Sequence, residues 1–261
     1  MQLVRTDYHI HTTYSDGRRP TRDYVEQAKR IRLDEMGFSD HVHFQKASWS
    51  MELSKLPDYV KEINTFKNDS HITVKAGLEV DFVPSKMDEL MQTIDNFDFD
   101  YLIGSVHHIG DWLIDSESQI QRWKGQNIDD IYRQYFSLVQ EMVKTGRFNI
   151  IGHLDLPKKF GFRPKNNITD VLLETIRVIS KSDMCVEINT SGLRKPCHEI
   201  YPSQDLLKTC FDNAVPITLG SDAHSPENVA ADFDHAIKLL REVGYTEIVK
   251  FSKRNKEFVE L

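Results

Sequence analysis

The sequence predicts an α/β fold, a single domain over residues 1–261 whose seven parallel strands curl into a barrel with a metal site at their C-terminal ends. Three observations carry this. Strand-like and helix-like segments alternate seven times along the chain, the pattern of a parallel sheet with crossover helices. Residues of metal-ligand type, imidazole and carboxylate, close six of the seven predicted strands. The 261 residues contain no Pro/Gly/Ser-rich linker or break in composition, and α/β barrels reach this length as one domain. The ligands decide what periodicity leaves open. An open, doubly wound sheet gathers its site at one switch point served by few strands, whereas the ends of so many strands converge only in a barrel.

In chain order, residues 3–10 read as the first strand, with Tyr8 and Ile10 between polar positions. Residues 20–36 read as a helix with Thr21 as its cap, an apolar face of Val25, Ala28, Ile31 and Met36, and Gly37 as its stop. Strand 38–41 and helix 53–66 follow. Strand 72–80, helix 87–97 and strand 101–106 come next. Residues 108–125 lack periodicity and read as a long loop with a turn of helix, the kind of excursion that shapes or covers a site. Helix 128–144 leads to strand 149–153 and the basic loop Lys158-Lys159-Phe160-Gly161-Phe162-Arg163. Helix 169–180 precedes strand 185–188 and the loop Ser191-Gly192-Leu193-Arg194-Lys195. Helix 203–211, strand 216–219, helix 226–243 and a final strand 246–251 complete the pattern.

The chain carries 33 basic and 40 acidic residues, a formal charge of -7, with no basic tail. Extended nucleic acid is therefore not an expected partner. A small anionic substrate is compatible, because metals and a few local arginines override the global sign. The three cysteines, Cys185, Cys197 and Cys210, form no CxxC and no disulfide framework, which fits a reducing cytoplasm. The N-terminal residues lack the basic-then-apolar design of a secretory leader, and no apolar run is long enough to span a bilayer. A cytoplasmic protein without membrane attachment is expected. Nothing in the sequence sets an oligomeric state, since the exposed faces of barrel helices share one pattern.

His9 and His11 are the strongest local signal. At i and i+2 of a strand their side chains face the same way, so two imidazoles can grip one metal. Asp16 follows, and the Asp16-Gly17 turn can fold its carboxylate back over the strand ends. Glu79 closes a core strand, where an acid is expensive to bury without a cation or a donor. Asp222 and His224 repeat the i, i+2 spacing after an apolar strand. His41, His107 and His153 each end a hydrophobic strand in equivalent positions. His43 and His108 adjoin these positions and read as substrate contacts or as outer partners of the ligands.

Read together, these segments resemble the PHP (polymerase and histidinol phosphatase) family of metal-dependent phosphoesterases. The resemblance runs through Asp7-Tyr8-His9-Ile10-His11-Thr12 with Ser15-Asp16-Gly17, Ser39-Asp40-His41, Gly77-Leu78-Glu79, Gly104-Ser105-Val106-His107, Gly152-His153-Leu154-Asp155 and Gly220-Ser221-Asp222-Ala223-His224. It implies a distorted (β/α)7 barrel holding three divalent metal ions, zinc, manganese or iron. It implies His9, His11, Glu79 and Asp222 on one metal, Glu79, His107 and His153 on a second, and Asp16, His41 and His224 on a third. Segments 101–107 and 187–195, with the chain length, are most similar to the stand-alone histidinol-phosphate phosphatases. Histidinol phosphate is thus the expected substrate, with a nucleotide or the end of a short oligonucleotide as the alternative.

A phosphate monoester needs its oxygens neutralised and a nucleophile in line, and close metals supply both. The expected nucleophile is a metal-bridging hydroxide, with Asp222 as a candidate to orient the water. Arg163 and Arg194 lie in loops on the ligand side, where arginine forks match phosphate geometry, and Lys158 is a further candidate. The amine and imidazole of histidinol call for Asp111, Asp115 or Glu117 and for Trp112 or Trp123. Protonation of the leaving group falls to His43, His108 or metal-bound water.

Overall fold

The computed structural model describes residues 5–261; of the predicted first strand, residues 3 and 4 lie outside it. Seven strands form one parallel sheet: β1 (Thr6–Asp7), β2 (Glu35–Phe38), β4 (Thr73–Asp81), β5 (Tyr101–Ser105), β8 (Ile150–Ile151), β9 (Cys185–Asn189) and β10 (Ile217–Gly220), with the short β3 (His41–Val42) also paired to β4. The sheet nearly closes on itself. A parallel bridge joins Ile10 to Ala223, and His11 N donates to Ala223 O at 2.9 Å while Ala223 N donates to His9 O at 3.0 Å.

Helices α1 (Thr21–Arg30), α2 (Leu56–Thr65), α3 (Met87–Ile94), α4 (Ile128–Lys144), α5 (Thr169–Ser180), α6 (Gln204–Asp212) and α7 (Phe233–Val243) connect the barrel strands. Each buries one face. In α4 this face is Ile131, Tyr135, Val139 and Met142, spaced three and four apart so that they stack on one stripe. Among the described residues no helix is long and apolar enough to cross a membrane. The cysteines Cys185, Cys197 and Cys210 are free thiols.

Several boundaries differ from the sequence reading, each for a tertiary reason. Helix α1 stops at Arg30, six residues before the expected end. Arg32 adopts φ 58°, and the amides of Arg32 and Leu33 donate to Lys29 O and Ala28 O at 3.0 and 2.9 Å. This is the paired closure that usually places glycine in the left-handed position. Thr21 does not cap the helix; Pro20 holds that position, and the Thr21 hydroxyl is buried without a partner.

Gly37 is therefore not a helix stop but a strand residue. The Tyr101 side chain lies across it and across Gly77, and a Cβ on these glycines would come within 2.3 Å of the Tyr101 hydroxyl oxygen and 2.4 Å of its ring. Tyr101 Oη, with one proton to share, lies 2.7 Å from Tyr8 O and 3.0 Å from Phe38 O, tying three strands together inside the barrel.

Residues 108–125 are ordered rather than a plain loop. They form a hairpin of β6 (His108–Ile109) and β7 (Trp112–Leu113), then a 3-10 segment, Glu117–Trp123. The expected helix 226–243 is interrupted. A 3-10 turn at Pro226–Asn228 precedes α7, and Ala230 and Asp232 between them take φ of 53° and 63°. The final strand β11 (Glu247–Ser252) has an unanticipated antiparallel partner, β12 (Asn255–Glu260). Val249 and Phe251 of β11 join Tyr8, Tyr101, Ile103, Ile150 and Cys185 in the barrel interior. The hairpin plugs the end opposite the ligands, where Lys253 N donates to Asp100 Oδ1 at 3.1 Å just ahead of β5.

Gly77→Ala is expected to force the Tyr101 ring from its slot and destabilise the fold by about 1–3 kcal/mol, read as a lower urea midpoint at unchanged m-value.

Candidate metal centre

At the C-terminal end of the barrel the nine predicted ligands gather in one cluster, with Glu79 at its centre facing five of the histidines. Glu79, only 1% exposed, splits its oxygens between two sets of imidazoles. Oε2 faces His41 Nδ1 at 2.8 Å, His9 Nε2 at 3.1 Å and His11 Nε2 at 3.6 Å. Oε1 faces His153 Nε2 at 3.0 Å and His107 Nε2 at 3.5 Å, and accepts Ser105 Oγ at 2.5 Å. On the outer side, Asp16 Oδ1 stands 3.3 Å from His224 Nε2 and 3.7 Å from His41 Nε2. Asp222 Oδ1 stands 3.3 Å from His224 Nδ1 and 3.4 Å from His11 Nε2.

Local backbone makes this convergence possible. His9 and His11 point the same way because they sit two residues apart in extended chain. His153 and Asp222 take positive φ, 22° and 52°, a conformation that costs a non-glycine residue about 1 kcal/mol or more and gathers at functional sites. Asp40, read from sequence only as part of a ligand motif, is a fastener. Its Oδ1 accepts Thr12 N at 2.8 Å, Ser15 N at 3.1 Å and Ser15 Oγ at 2.7 Å. That holds the 12–16 turn folded back and brings Asp16 over the strand ends.

These groups fit metal ions better than they fit one another. His9 Nε2, both nitrogens of His11 and Glu79 Oε2 are buried and make no hydrogen bond, although His9 Nε2 and Glu79 Oε2 are only 3.1 Å apart. Buried polar atoms are rarely left so. His9 Nε2, His11 Nε2 and Glu79 Oε2 crowd together at 3.1 and 3.6 Å without hydrogen bonding, an arrangement a cation would complete. Three groupings of potential ligand atoms lie here: His9, His11 and Glu79; His41, Glu79 and His107; and His11, Asp16, His41 and His224.

The electrostatics agree. Burial disfavours the charged form of Glu79, yet His41, His9 and His107 outweigh it and hold the carboxyl well below its usual range. Asp222 is held low against burial by His9 and His11 in the same way. Burial, reinforced by His41 and His224, pushes His11 down to about 3, so its imidazole is neutral and ready to ligate. Burial also disfavours charge on His107, but Glu79 and Asp81 prevail and raise it to about 10, so with no cation beside it this imidazole carries a proton that a metal would displace.

The ligands are oriented by residues that the sequence reading passed over. Glu187, on the one barrel strand without a predicted ligand, receives His9 Nδ1 at 2.5 Å and His153 N at 3.0 Å. It lies directly over Gly220, where a Cβ would meet its Oε1 at 1.9 Å. Asp81 receives His107 N at 3.2 Å and stands 3.3 Å from His107 Nδ1. Ser191 Oγ donates to Asp222 Oδ2 at 3.0 Å, leaving Oδ1 toward the imidazoles. Such outer carboxylates set the tautomer of a ligating histidine. The signal in the sequence was Glu187-Ile188-Asn189, an acid inside an apolar strand.

The cluster floors a cavity of about 360 Å³ whose lining includes Arg18, Asp115, Lys159, Ser191 and Arg194. Arg194 is in place, its Nη2 donating to Ser221 O at 2.6 Å and its Nη1 to Asp232 Oδ2 at 2.9 Å. Arg163 and Lys158 do not line this cavity. Arg163 binds Glu199 at 2.7 Å and borders a separate groove with Tyr132 and Leu172. Lys158 is fully buried between Asp155 at 2.8 Å and Glu199 at 3.2 Å. The 3-10 turn Leu156–Phe160 rotates Lys158 inward and presents Lys159 instead, held by Asp115 at 3.0 Å.

A smaller pocket of about 180 Å³ opens beside the cluster, lined by Asp16, His41, Trp49, His107, Leu113, Asp115 and Ser116. Of the acids predicted to face a substrate amine, Asp115 is there. Asp111 pairs with Arg122 at the surface, and Glu117 is exposed. Trp112 and Trp123 do not face the site. Trp123 stacks on Phe162 at 4.9 Å, with Trp112 packed against it, so both serve the core. Trp49, unremarked in the sequence, is the aromatic that lines this pocket.

Glu187→Gln is expected to weaken metal affinity about 10–100-fold, measured by competition with a chromophoric chelator, with the far-UV circular dichroism unchanged.

Residues 7–191 match the PHP domain family. The Deinococcus radiodurans protein named "Probable histidinol-phosphatase" is 35% identical over 244 residues, covering 91% of this chain and 93% of that protein. The crystal structure of histidinol phosphate phosphatase from Lactococcus lactis, complexed with zinc, L-histidinol and phosphate, superposes with a TM-score of 0.85 at 27% identity, over 98% of this chain and 100% of that one. A Listeria monocytogenes structure described as a putative histidinol phosphatase shares the fold, with a TM-score of 0.79 at 21% identity over 88% of this chain and 99% of that one. With candidate ligands from six strand ends gathered in one cluster and residues 7–191 matched, this chain belongs to the PHP domain family.

Proposed function

We propose that this protein hydrolyses L-histidinol phosphate to L-histidinol and phosphate, a step of histidine biosynthesis. The coarser activity, a metal-dependent phosphoesterase, is supported by family membership together with the clustered ligands. The observation that carries the substrate is the end-to-end likeness to the Lactococcus enzyme solved with L-histidinol and phosphate.

In this reading the site takes three divalent ions. His9, His11, Glu79 and Asp222 would hold one, Glu79, His107 and His153 a second, and Asp16, His41 and His224 a third. Five imidazoles around one carboxylate suit zinc, manganese or iron better than magnesium. When bound, such ions lower the pKa of water and neutralise phosphoryl oxygens. The protein's own groups do the rest. Arg194, fixed by three acceptors, presents its remaining N–H donors to the phosphate, and Lys159 and Arg18 add positive charge to the same wall. Asp222, with Ser191 on its outer oxygen, orients the attacking water. The leaving alcohol points into the smaller pocket, its imidazole against Trp49 and its ammonium toward Asp115.

Phosphate release by metal-loaded protein tests this directly. Histidinol phosphate should be turned over well ahead of a panel of nucleotides including a 3′,5′-bisphosphate. Loss of the first-strand ligand in His9→Ala should abolish release, and Arg194→Ala should lower kcat/KM by about 100-fold. Selective release from the nucleotides would sink the biosynthetic assignment. Asp115→Asn should raise KM for histidinol phosphate about 10-fold or more, the weight of a charge-assisted contact, while leaving KM for a phosphate ester without an amine nearly unchanged.

A further inference from the structure

Beside the catalytic cluster, and outside the nine ligands assigned to it, a second set of groups meets on one carboxylate oxygen. Asp81, at the end of β4, is 2% exposed and His43, just after β3, is 9% exposed. Asp81 divides its oxygens as Glu79 does. Its Oδ1 serves His107, at 3.3 Å from Nδ1. Its Oδ2 faces away from the cluster, toward His108 Nδ1 at 2.8 Å and His43 Nε2 at 3.4 Å.

We propose that His43 Nε2, Asp81 Oδ2 and His108 Nδ1 form a further divalent-cation site of zinc type. The three ligand atoms lie within 4.8 Å of one another. Two ligands held at about 2.0–2.1 Å by a tetrahedral zinc stand about 3.4 Å apart, so small adjustments close the triangle. Two imidazoles and one carboxylate are zinc chemistry. Three protein ligands leave one position for water, and His108, the most exposed of the three, opens the site to solvent. The outer nitrogen of His43 is supported as a ligating imidazole requires: Nδ1 lies 3.1 Å from Gln45 O, the backbone carbonyl that would accept its N–H once Nε2 is on the metal. Gln45 N is equally 3.1 Å from that nitrogen, so occupancy would select the tautomer. Through Asp81 the extra ion would sit back to back with His107, and it would be the more weakly held because it has fewer protein ligands. The proposal does not depend on which phosphomonoester is hydrolysed.

The test is a zinc count. Protein is brought to dialysis equilibrium with buffered free zinc, and its metal in excess of the dialysate is read by atomic emission, for wild type, His108→Ala and His43→Gln. Wild type is expected to hold four zinc per chain, one more than the three of the proposed cluster, and each variant three; a wild-type count of three or fewer would overturn the proposal, because the equivalent lost would then be the one on His107. The same loss of one equivalent should appear when His108→Ala is added to His9→Ala, which damages the catalytic cluster independently. Unchanged counts would overturn the proposal. So would a loss of more than one equivalent on His108→Ala or His43→Gln, because it would mean that these histidines only brace His107 through Asp81.

Discussion

A carboxylate buried at the top of a barrel is the constraint on which the rest of this molecule depends. Taking Glu79 out of water costs several kcal/mol unless opposite charge or donors surround it. The protein meets that cost with five imidazoles and a serine hydroxyl, drawn from strands that lie far apart in the chain. Only a sheet curved through nearly a full turn brings those strand ends within a few ångströms. The parallel bridge between Ile10 and Ala223 is thus as much a part of the site as the histidines on either side of it.

Around that centre runs an outer ring of acids with a division of labour. Glu187 aligns His9 and His153, Asp81 aligns His107, and Asp40 holds the turn that delivers Asp16. Each acts through another residue, and each leaves the inward nitrogen of its imidazole, or the inward oxygen of Asp16, directed at the centre. Rigid donors fixed before substrate arrives need no reorganisation during reaction. The two residues at positive φ, His153 and Asp222, belong to the same design, their strain sustained by the hydrogen bonds that pin them.

The opposite end of the barrel does the mechanical work. Tyr101 crosses Gly37 and Gly77 and binds the backbone of two further strands, while the terminal hairpin drives Val249 and Phe251 into the interior. A closed, well-packed floor keeps strand ends from drifting, and a ligand set spread over six strands tolerates little drift. The hairpin after β5 and the 3-10 segment that follows it fill the remaining side, their Trp112 and Trp123 packed into core rather than turned to substrate.

Sequence alone determined the alternation of strands and helices, the barrel, and the five histidines that face Glu79, because imidazole and carboxylate at successive strand ends form a local pattern. Helices α4 and α5 were legible to the residue, since amphipathic spacing over twelve or more residues has no competing reading. Only the tertiary structure decided the rest. Gly37 looked like a helix stop because its true role, room for Tyr101, lies 64 positions away. Lys158 and Lys159 are neighbours that one 3-10 turn sends in opposite directions, and Arg163 was drawn off by Glu199, a partner no local pattern announces. Trp49 went unremarked, and Glu187 was noted only as the start of segment 187–195 with no role, for the same reason. What orients a ligand, or lines a pocket, is defined by what it touches, and those contacts join parts of the chain that are distant in sequence.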